Sequence, residues 1–174
     1  DRLVAELIQM KGSPNQGAPA AFAMATLNDA PMAAKADILI QAFQAEKLSC
    51  ARCHDAPEHR HKQLDTFSLA AMLKGKALKL PESSTVPIVE GFRKPRIEIS
   101  LEPGQTIHPI WPFEELSPDH YIMRMIPLES NVPETRNEVA RRMISPANER
   151  FADVIVNRVW KRYLGAGLVE PAED

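Results

Sequence analysis

Cys50-Ala51-Arg52-Cys53-His54 is the stretch from which the rest of this chain is best interpreted. It reads C-x-x-C-H, the pattern at which a c-type haem is attached to a polypeptide. Two thiols at this spacing can each bond one vinyl group of a single porphyrin, and the histidine that follows can bind the iron. The chain has 2 cysteines, and both lie in this motif. The motif therefore predicts haem c, with Cys50 and Cys53 as thioethers and His54 as proximal ligand.

Two other uses of the cysteines stay open at this point. A disulfide between Cys50 and Cys53 is sterically possible, although the strand-to-helix context of thioredoxin-like motifs is missing. A zinc site would combine the two thiolates with two of the nearby histidines, although the spacings differ from those of common zinc fingers. Either would make the chain a structural or interaction module of a secreted assembly. The histidines in question are His54, His59 and His61.

The second axial ligand of the iron decides what a haem could do here. A thioether raises the reduction potential, and an open position would allow a haem enzyme or a ligand sensor. Arg52 is a candidate for contact with a haem propionate, because a guanidinium suits a carboxylate. The candidates for the distal position are Met72, His61, Met123, Met125 and His120, with His59 and His108 as further histidines.

Composition narrows the class of protein. The chain has 174 residues, 44% of them hydrophobic and 25% charged, which is ordinary for a globular protein. The net charge of −2 argues against a nucleic-acid partner. No apolar run approaches the length of a membrane span, so we expect no integral membrane segment. Residues 1–4 already have the pattern of a helix interior, and we expect the chain to be a fragment or processed form of a longer protein.

Apolar periodicity predicts a mainly α fold, and the C-x-x-C-H motif leads us to expect that its helical domain is c-type cytochrome-like. The predicted helices cover residues 2–10, 19–27, 31–47, 62–74 and 147–164. A further helix begins at the capping box from Thr135 to Glu138. Ser145-Pro146 is the expected start signal of the last helix and Gly165 its expected left-handed cap. Leu3, Ile38 and Leu64 belong to the apolar faces of the earlier helices. The last helix is expected to bury Phe151, Val154, Ile155, Val159 and Trp160.

The middle of the chain has a different character. Nine prolines occur between Pro81 and Pro133, and helical periodicity is weak there. Residues 96–101 alternate in polarity, and with residues 121–126 they predict strands of a small β insertion. We therefore divide the chain into a helical haem c-attachment domain at 1–80, a Pro-rich segment at 81–133 and a C-terminal helical segment at 134–174 that packs on the first.

Two parts of the chain resemble a planctomycete family of large secreted, cytochrome-c-like proteins with paired domains of unknown function. The first part is the run from Cys50 to Asp55, with Pro57, Gln63, Asp65, Phe67 and residues 69–71. The second comprises Arg141-Arg142, residues 145–148, 151–152 and 156–160, and the run from Leu164 to Pro171.

The resemblance implies a haem c outside the cytoplasm, in the periplasm or beyond the cell, but it implies no reaction. Two positions depart from the family pattern, because Ala56 stands where the family has a histidine and His61 stands where it has a tryptophan. The motif by itself leads us to expect an electron carrier with one covalent haem c rather than an enzyme. The expected partner is another haem or electron-transfer protein.

Overall fold

A computed structural model of the chain describes residues 2–12, 15, 17–24, 32–81, 100–113 and 132–172. This part of the chain is mainly helical and includes a small two-stranded sheet, which confirms the predicted fold class. No helix within these ranges is long and apolar enough to cross a membrane. The helices are α1 (Arg2–Gln9), α2 (Ala18–Met24), α3 (Ala33–Gln44), α4 (Gln63–Lys74), α5 (Val132–Met143) and α6 (Glu149–Leu164), and the strands are β1 (Leu78–Lys79) and β2 (Thr106–Ile107).

The small sheet differs from the one that the sequence predicts. Strands β1 and β2 are antiparallel, with Leu78 opposite Ile107, and both of these side chains are buried. Of the predicted strand at 96–101, only Ser100 and Leu101 are described, and neither lies in a strand; residues 121–126 lie outside the described ranges. Two-residue strands are too short to show alternation in sequence, which is why the pattern missed them.

Helix α4 lies at the centre of the fold. It contacts α3, α5 and β2, and it is buried on nearly all sides, as expected for a helix with other elements around it. Its residues from Thr66 to Leu73 are all buried, including the polar Thr66 and Ser68. Gly75 ends the helix in the left-handed conformation (φ 77°), which a residue without a side chain adopts readily. The other helices are arranged around this element.

Several apolar side chains that the sequence assigns to the core are exposed. Phe151 and Val154 of α6 are buried as predicted, but Val159 and Trp160 are 51% and 44% exposed. Those two predictions are wrong because the buried residues of α6 lie in its first half, where it packs on α3. Periodicity identifies an apolar face but carries no information on how far a partner covers it. Leu3, Ile38 and Leu64 are exposed for the same reason.

The starts of the last two helices also differ from prediction. Helix α5 begins at Val132, so Thr135 lies within its first turn and is buried. Helix α6 is capped by Asn148, whose side chain accepts a hydrogen bond from the backbone N–H of Phe151 (3.2 Å). Ser145-Pro146 therefore lies in the connection before the helix. Gly165 does end α6 in the left-handed conformation (φ 87°), as predicted.

Arginines of the C-terminal segment bind the carbonyl ends of three earlier helices. Arg136 donates to the carbonyl oxygens of Leu73 in α4 (2.6 Å) and Gln9 in α1 (3.4 Å). Arg150 and Arg158 donate to the last turn of α3, at the carbonyls of Gln44 (2.6 Å) and Gln41 (2.7 Å) respectively. The last carbonyls of a helix lack partners within the helix and carry partial negative charge, so a guanidinium both satisfies and stabilises them.

We expect Arg136→Met to destabilise the protein by about 1.5–3 kcal/mol, because it removes charged hydrogen bonds to two helix ends at once. Urea denaturation followed by circular dichroism measures the change. The matched control is Arg141→Met on the same helix, since Arg141 pairs with Glu138 at the surface and such pairs contribute less than about 1 kcal/mol. Equal losses in the two variants would contradict the assignment.

Candidate functional site

The cysteine motif forms one helical turn after the end of α3. The backbone N–H of Arg52 donates to Leu48, and the N–H groups of Cys53 and His54 both donate to the carbonyl of Cys50 (3.1 and 3.4 Å). In such a turn, positions i, i+3 and i+4 share a face. Cys50, Cys53 and His54 have this spacing, so the turn places both thiols and the imidazole on one side.

Buried neighbours hold the opposite side of this turn. Leu48 is fully buried and Ala51 is 2% exposed, so both face the core. The backbone N–H of Leu48 donates to a carboxylate oxygen of Asp37 in α3 (2.7 Å), which fixes the start of the turn. By contrast Cys50 is exposed and Cys53 is partly exposed, and both are free thiols. The turn is therefore anchored through its buried residues Leu48 and Ala51, and the sulfur atoms lie on its accessible side.

The ring of His54 lies next to a backbone carbonyl. Its Nδ1 is 3.4 Å from the carbonyl oxygen of Asp55, which can only accept a hydrogen bond. In the tautomer that makes this bond, Nδ1 carries the hydrogen and Nε2 has the lone pair. A backbone carbonyl at one ring nitrogen is the usual partner of a histidine that binds a metal through the other.

Gln63 connects the motif to the centre of the fold. This side chain is fully buried at the first residue of α4. Its amide nitrogen donates to the carbonyl of Arg52 (3.3 Å) and its oxygen accepts from the backbone N–H of Leu101 (3.2 Å). Its own backbone N–H donates to a carboxylate oxygen of Asp55 (2.7 Å). The loop that follows the cysteines is therefore tied to α4 at two points.

Glu46 is the centre of a charged cluster beside the motif. Its carboxylate, 10% exposed, pairs with Arg60 (2.6 Å), with Arg150 of α6 (3.2 Å) and with Nε2 of His61. Burial by itself would raise the pKa of Glu46. The hydrogen bond from His61 and the charges of His61, Arg60 and Arg150 together outweigh it, so the pKa lies below its ordinary value. Glu46 thus links α3, the loop after the motif and α6.

The residues predicted as distal ligand candidates lie in different parts of the chain and the fold. Met72 is 2% exposed within α4, and His108 is exposed on the surface. His61 is 6% exposed, with its Nε2 on Glu46 and its ring edge-to-face with Phe113 (5.1 Å). Met123, Met125 and His120 lie outside the described ranges. The identity of the distal ligand stays a prediction.

His59 is the candidate that packs directly against the motif. Its ring centroid lies 5.0 Å from that of His54. Arg52, the expected propionate contact, is half-buried within the turn. Among the described residues, no group of three or more histidine, cysteine, aspartate or glutamate side chains is close enough to hold a metal ion.

Sequence patterns do not indicate that Glu46 or Gln63 organises this site. Glu46 is one of several charges after an apolar helix, and its partners Arg60 and Arg150 lie 14 and 104 residues further on. Gln63 enters the sequence analysis only through the family resemblance. A polar residue at the start of an otherwise apolar, small-residue helix is the one signal that could have pointed to it, because such a side chain needs buried partners.

Comparison with known proteins identifies only the end of the chain. Residues 135–174 match PSD1, a protein of unknown function (DUF1553). No curated protein and no solved structure matches the chain. The match is consistent with the planctomycete-type family that the sequence resembles, and the cysteine motif lies outside it. It includes Arg136, Arg150 and Arg158, the three arginines that bind the helix ends.

We expect Glu46→Gln to destabilise the protein by about 1–3 kcal/mol at neutral pH, because three cationic or hydrogen-bonding partners lose a carboxylate. A group whose pKa is lowered by folding stabilises the protein above its unfolded pKa, and this contribution is lost as the pH falls through the folded value. The difference between variant and wild type should therefore shrink below about pH 4.

Urea denaturation at a series of pH values measures this difference. The control is Glu58→Gln, on an exposed glutamate of the same loop, which should change stability by less than about 0.5 kcal/mol at every pH. A loss in Glu46→Gln that stays constant down to acid pH would show that the charge of Glu46 is not what stabilises the cluster.

Gln63→Leu should cost about 1–3 kcal/mol, since the backbone N–H of Leu101 and the carbonyl of Arg52 each lose a buried partner. Hydrogen exchange at the Leu101 amide should accelerate as well. Gln105→Leu is the matched control with little expected change, because the hydrogen bond that it removes, from the backbone N–H of Glu102, is exposed to solvent. Unchanged protection at Leu101 would argue against the connection through Gln63.

Proposed function

We propose that this chain carries one covalent haem c and transfers electrons outside the cytoplasm. The observation that supports the proposal most is the anchored, hydrogen-bonded turn that carries Cys50, Cys53 and His54, none of which is buried. Two thiols and one imidazole at this spacing are the donor set that haem c attachment uses. We infer the extracytoplasmic location and a redox partner protein from the same chemistry.

The residues around the motif fit such a group. In the tautomer whose Nδ1 donates to the Asp55 carbonyl, Nε2 of His54 has the lone pair that binds iron. The two sulfur atoms are accessible, as thioether formation requires, whereas Leu48 and Ala51 keep the backbone of the turn in place. Arg52 supplies a cation within the motif for a propionate.

A bound haem would supply one-electron chemistry at the iron. The chain's own residues would hold and orient this group. Cys50 and Cys53 hold the group covalently, His54 binds from one side, and the Gln63 contacts keep the loop around Asp55 in position. The cluster around Glu46 joins this loop to α6. A rigid setting of this kind suits electron transfer, because little has to rearrange when the charge of the site changes.

The alternative proposal is a structural module in which Cys50 and Cys53 form a disulfide or hold a metal. The same helical turn supports it, since cysteines three residues apart can approach closely. A third proposal, a haem enzyme or sensor with an open sixth position, depends on the distal ligand. Intact mass separates the first two proposals, and added cyanide or carbon monoxide tests the third.

The experiment is expression in a host that attaches haem c, followed by intact mass, a haem-stained denaturing gel and reduced-minus-oxidised spectra. We expect the wild-type mass to include one porphyrin, haem staining that survives denaturation, and a reduced spectrum typical of a c-type cytochrome. Cys50→Ala/Cys53→Ala should lose the covalent haem, whereas His108→Ala, at an exposed histidine, should retain it.

A colourless wild-type protein with the mass of the bare polypeptide would overturn the proposal. A mass lower by two hydrogens would indicate the disulfide, and about one zinc per chain without iron would indicate the metal-held module. A haem that binds cyanide or carbon monoxide readily would move the assignment to the open-site enzyme or sensor.

A further inference from the structure

His59 lies against the proximal histidine because the chain turns back on itself after the motif. The backbone N–H of His59 donates to the carbonyl of Ala56 (3.0 Å), which closes the turn. The two imidazole rings then lie 5.0 Å apart between centroids, with 32° between their planes. The rings face each other at a tilt, so each limits the rotation of the other about its side-chain bonds.

The polar atoms of His59 do not explain its position. Its Nδ1 is buried and makes no hydrogen bond with any described residue. A buried nitrogen without a partner costs about 1–3 kcal/mol, so the ring is not held there by that atom. The contact with His54 is the interaction at this ring that the structure does show. His61, two residues later, differs in that Glu46 engages its Nε2.

His54 needs such a contact, because its own hydrogen bond is long. The distance of 3.4 Å from Nδ1 to the Asp55 carbonyl exceeds the usual range for N–H···O bonds, so this bond restrains the ring only weakly. Groups that contact a metal-binding histidine without touching the metal set the orientation of its ring. The neighbouring ring of His59 is placed to do this from one face.

We propose that His59 is a positioning residue for His54: its ring packs on the imidazole and holds it in the orientation in which Nε2 binds iron. The inference rests on the proposed function, because the orientation of His54 matters only when it is a ligand. It assigns His59 to the proximal side, as a packing partner of the ligand, in place of the distal role considered from sequence.

Two variants separate packing from other effects. His59→Phe keeps a flat ring of similar size without nitrogen atoms, and His59→Ala removes the ring. Glu58→Ala, at an exposed residue of the same loop with no role at the site, is the control for loss of a side chain. We expect His59→Ala to shift the reduction potential and broaden the haem absorption bands, and we expect His59→Phe to restore values close to wild type. All variants should keep the covalent haem, since the cysteines are unchanged.

A second measurement does not depend on haem. Nuclear Overhauser effects between ring protons of His54 and His59 should be present in the wild-type protein, whether reduced with haem or free of it. Their absence would overturn the inference. So would a His59→Ala protein whose potential and spectrum match those of Glu58→Ala, or a His59→Phe protein as perturbed as His59→Ala. Failure of the proposed function would appear separately, as a wild-type mass without porphyrin.

Discussion

The fold depends on the way in which arginines of the C-terminal segment satisfy the carbonyl ends of earlier helices. Arg136 joins the ends of α1 and α4, and Arg150 and Arg158 join the end of α3. Each helix end carries unpaired carbonyls and partial negative charge that would otherwise need water or another donor. Because these arginines come from α5 and α6, the last third of the chain determines where three earlier helices end relative to one another.

This arrangement brings the part of the chain that matches DUF1553 into contact with the loop after the cysteine motif. The match to DUF1553 begins at residue 135, far along the chain from the cysteine motif. In the folded chain, Arg150 from the matched part reaches Glu46, and Glu46 also binds Arg60 and His61 of the loop after the motif. A carboxylate with little exposure needs such compensation, since an unpaired buried charge is unfavourable. The cluster therefore couples the candidate site to the C-terminal helices.

The site itself combines a local turn with support from distant residues. The turn brings Cys50, Cys53 and His54 to one face through backbone hydrogen bonds within the motif. Its position on the molecule depends on Gln63, which is buried at the start of α4 and binds both Arg52 and Leu101. Helix α4 is in turn held from several sides. A cofactor bound at this turn would thus be linked to the core by buried hydrogen bonds rather than by the loop alone.

The sequence by itself determined the features that depend on near neighbours: the mainly helical fold, the cap at Gly165 and the C-x-x-C-H motif with its three donor residues. Only the tertiary structure decided which apolar faces are covered, so that Trp160 and Val159 are exposed, and which residues surround the motif. Arg136 and its two carbonyl partners are 63 and 127 residues apart in the chain. Hydrogen bonds between such distant residues depend on how the helices pack, and neither periodicity nor local propensity in the sequence predicts them.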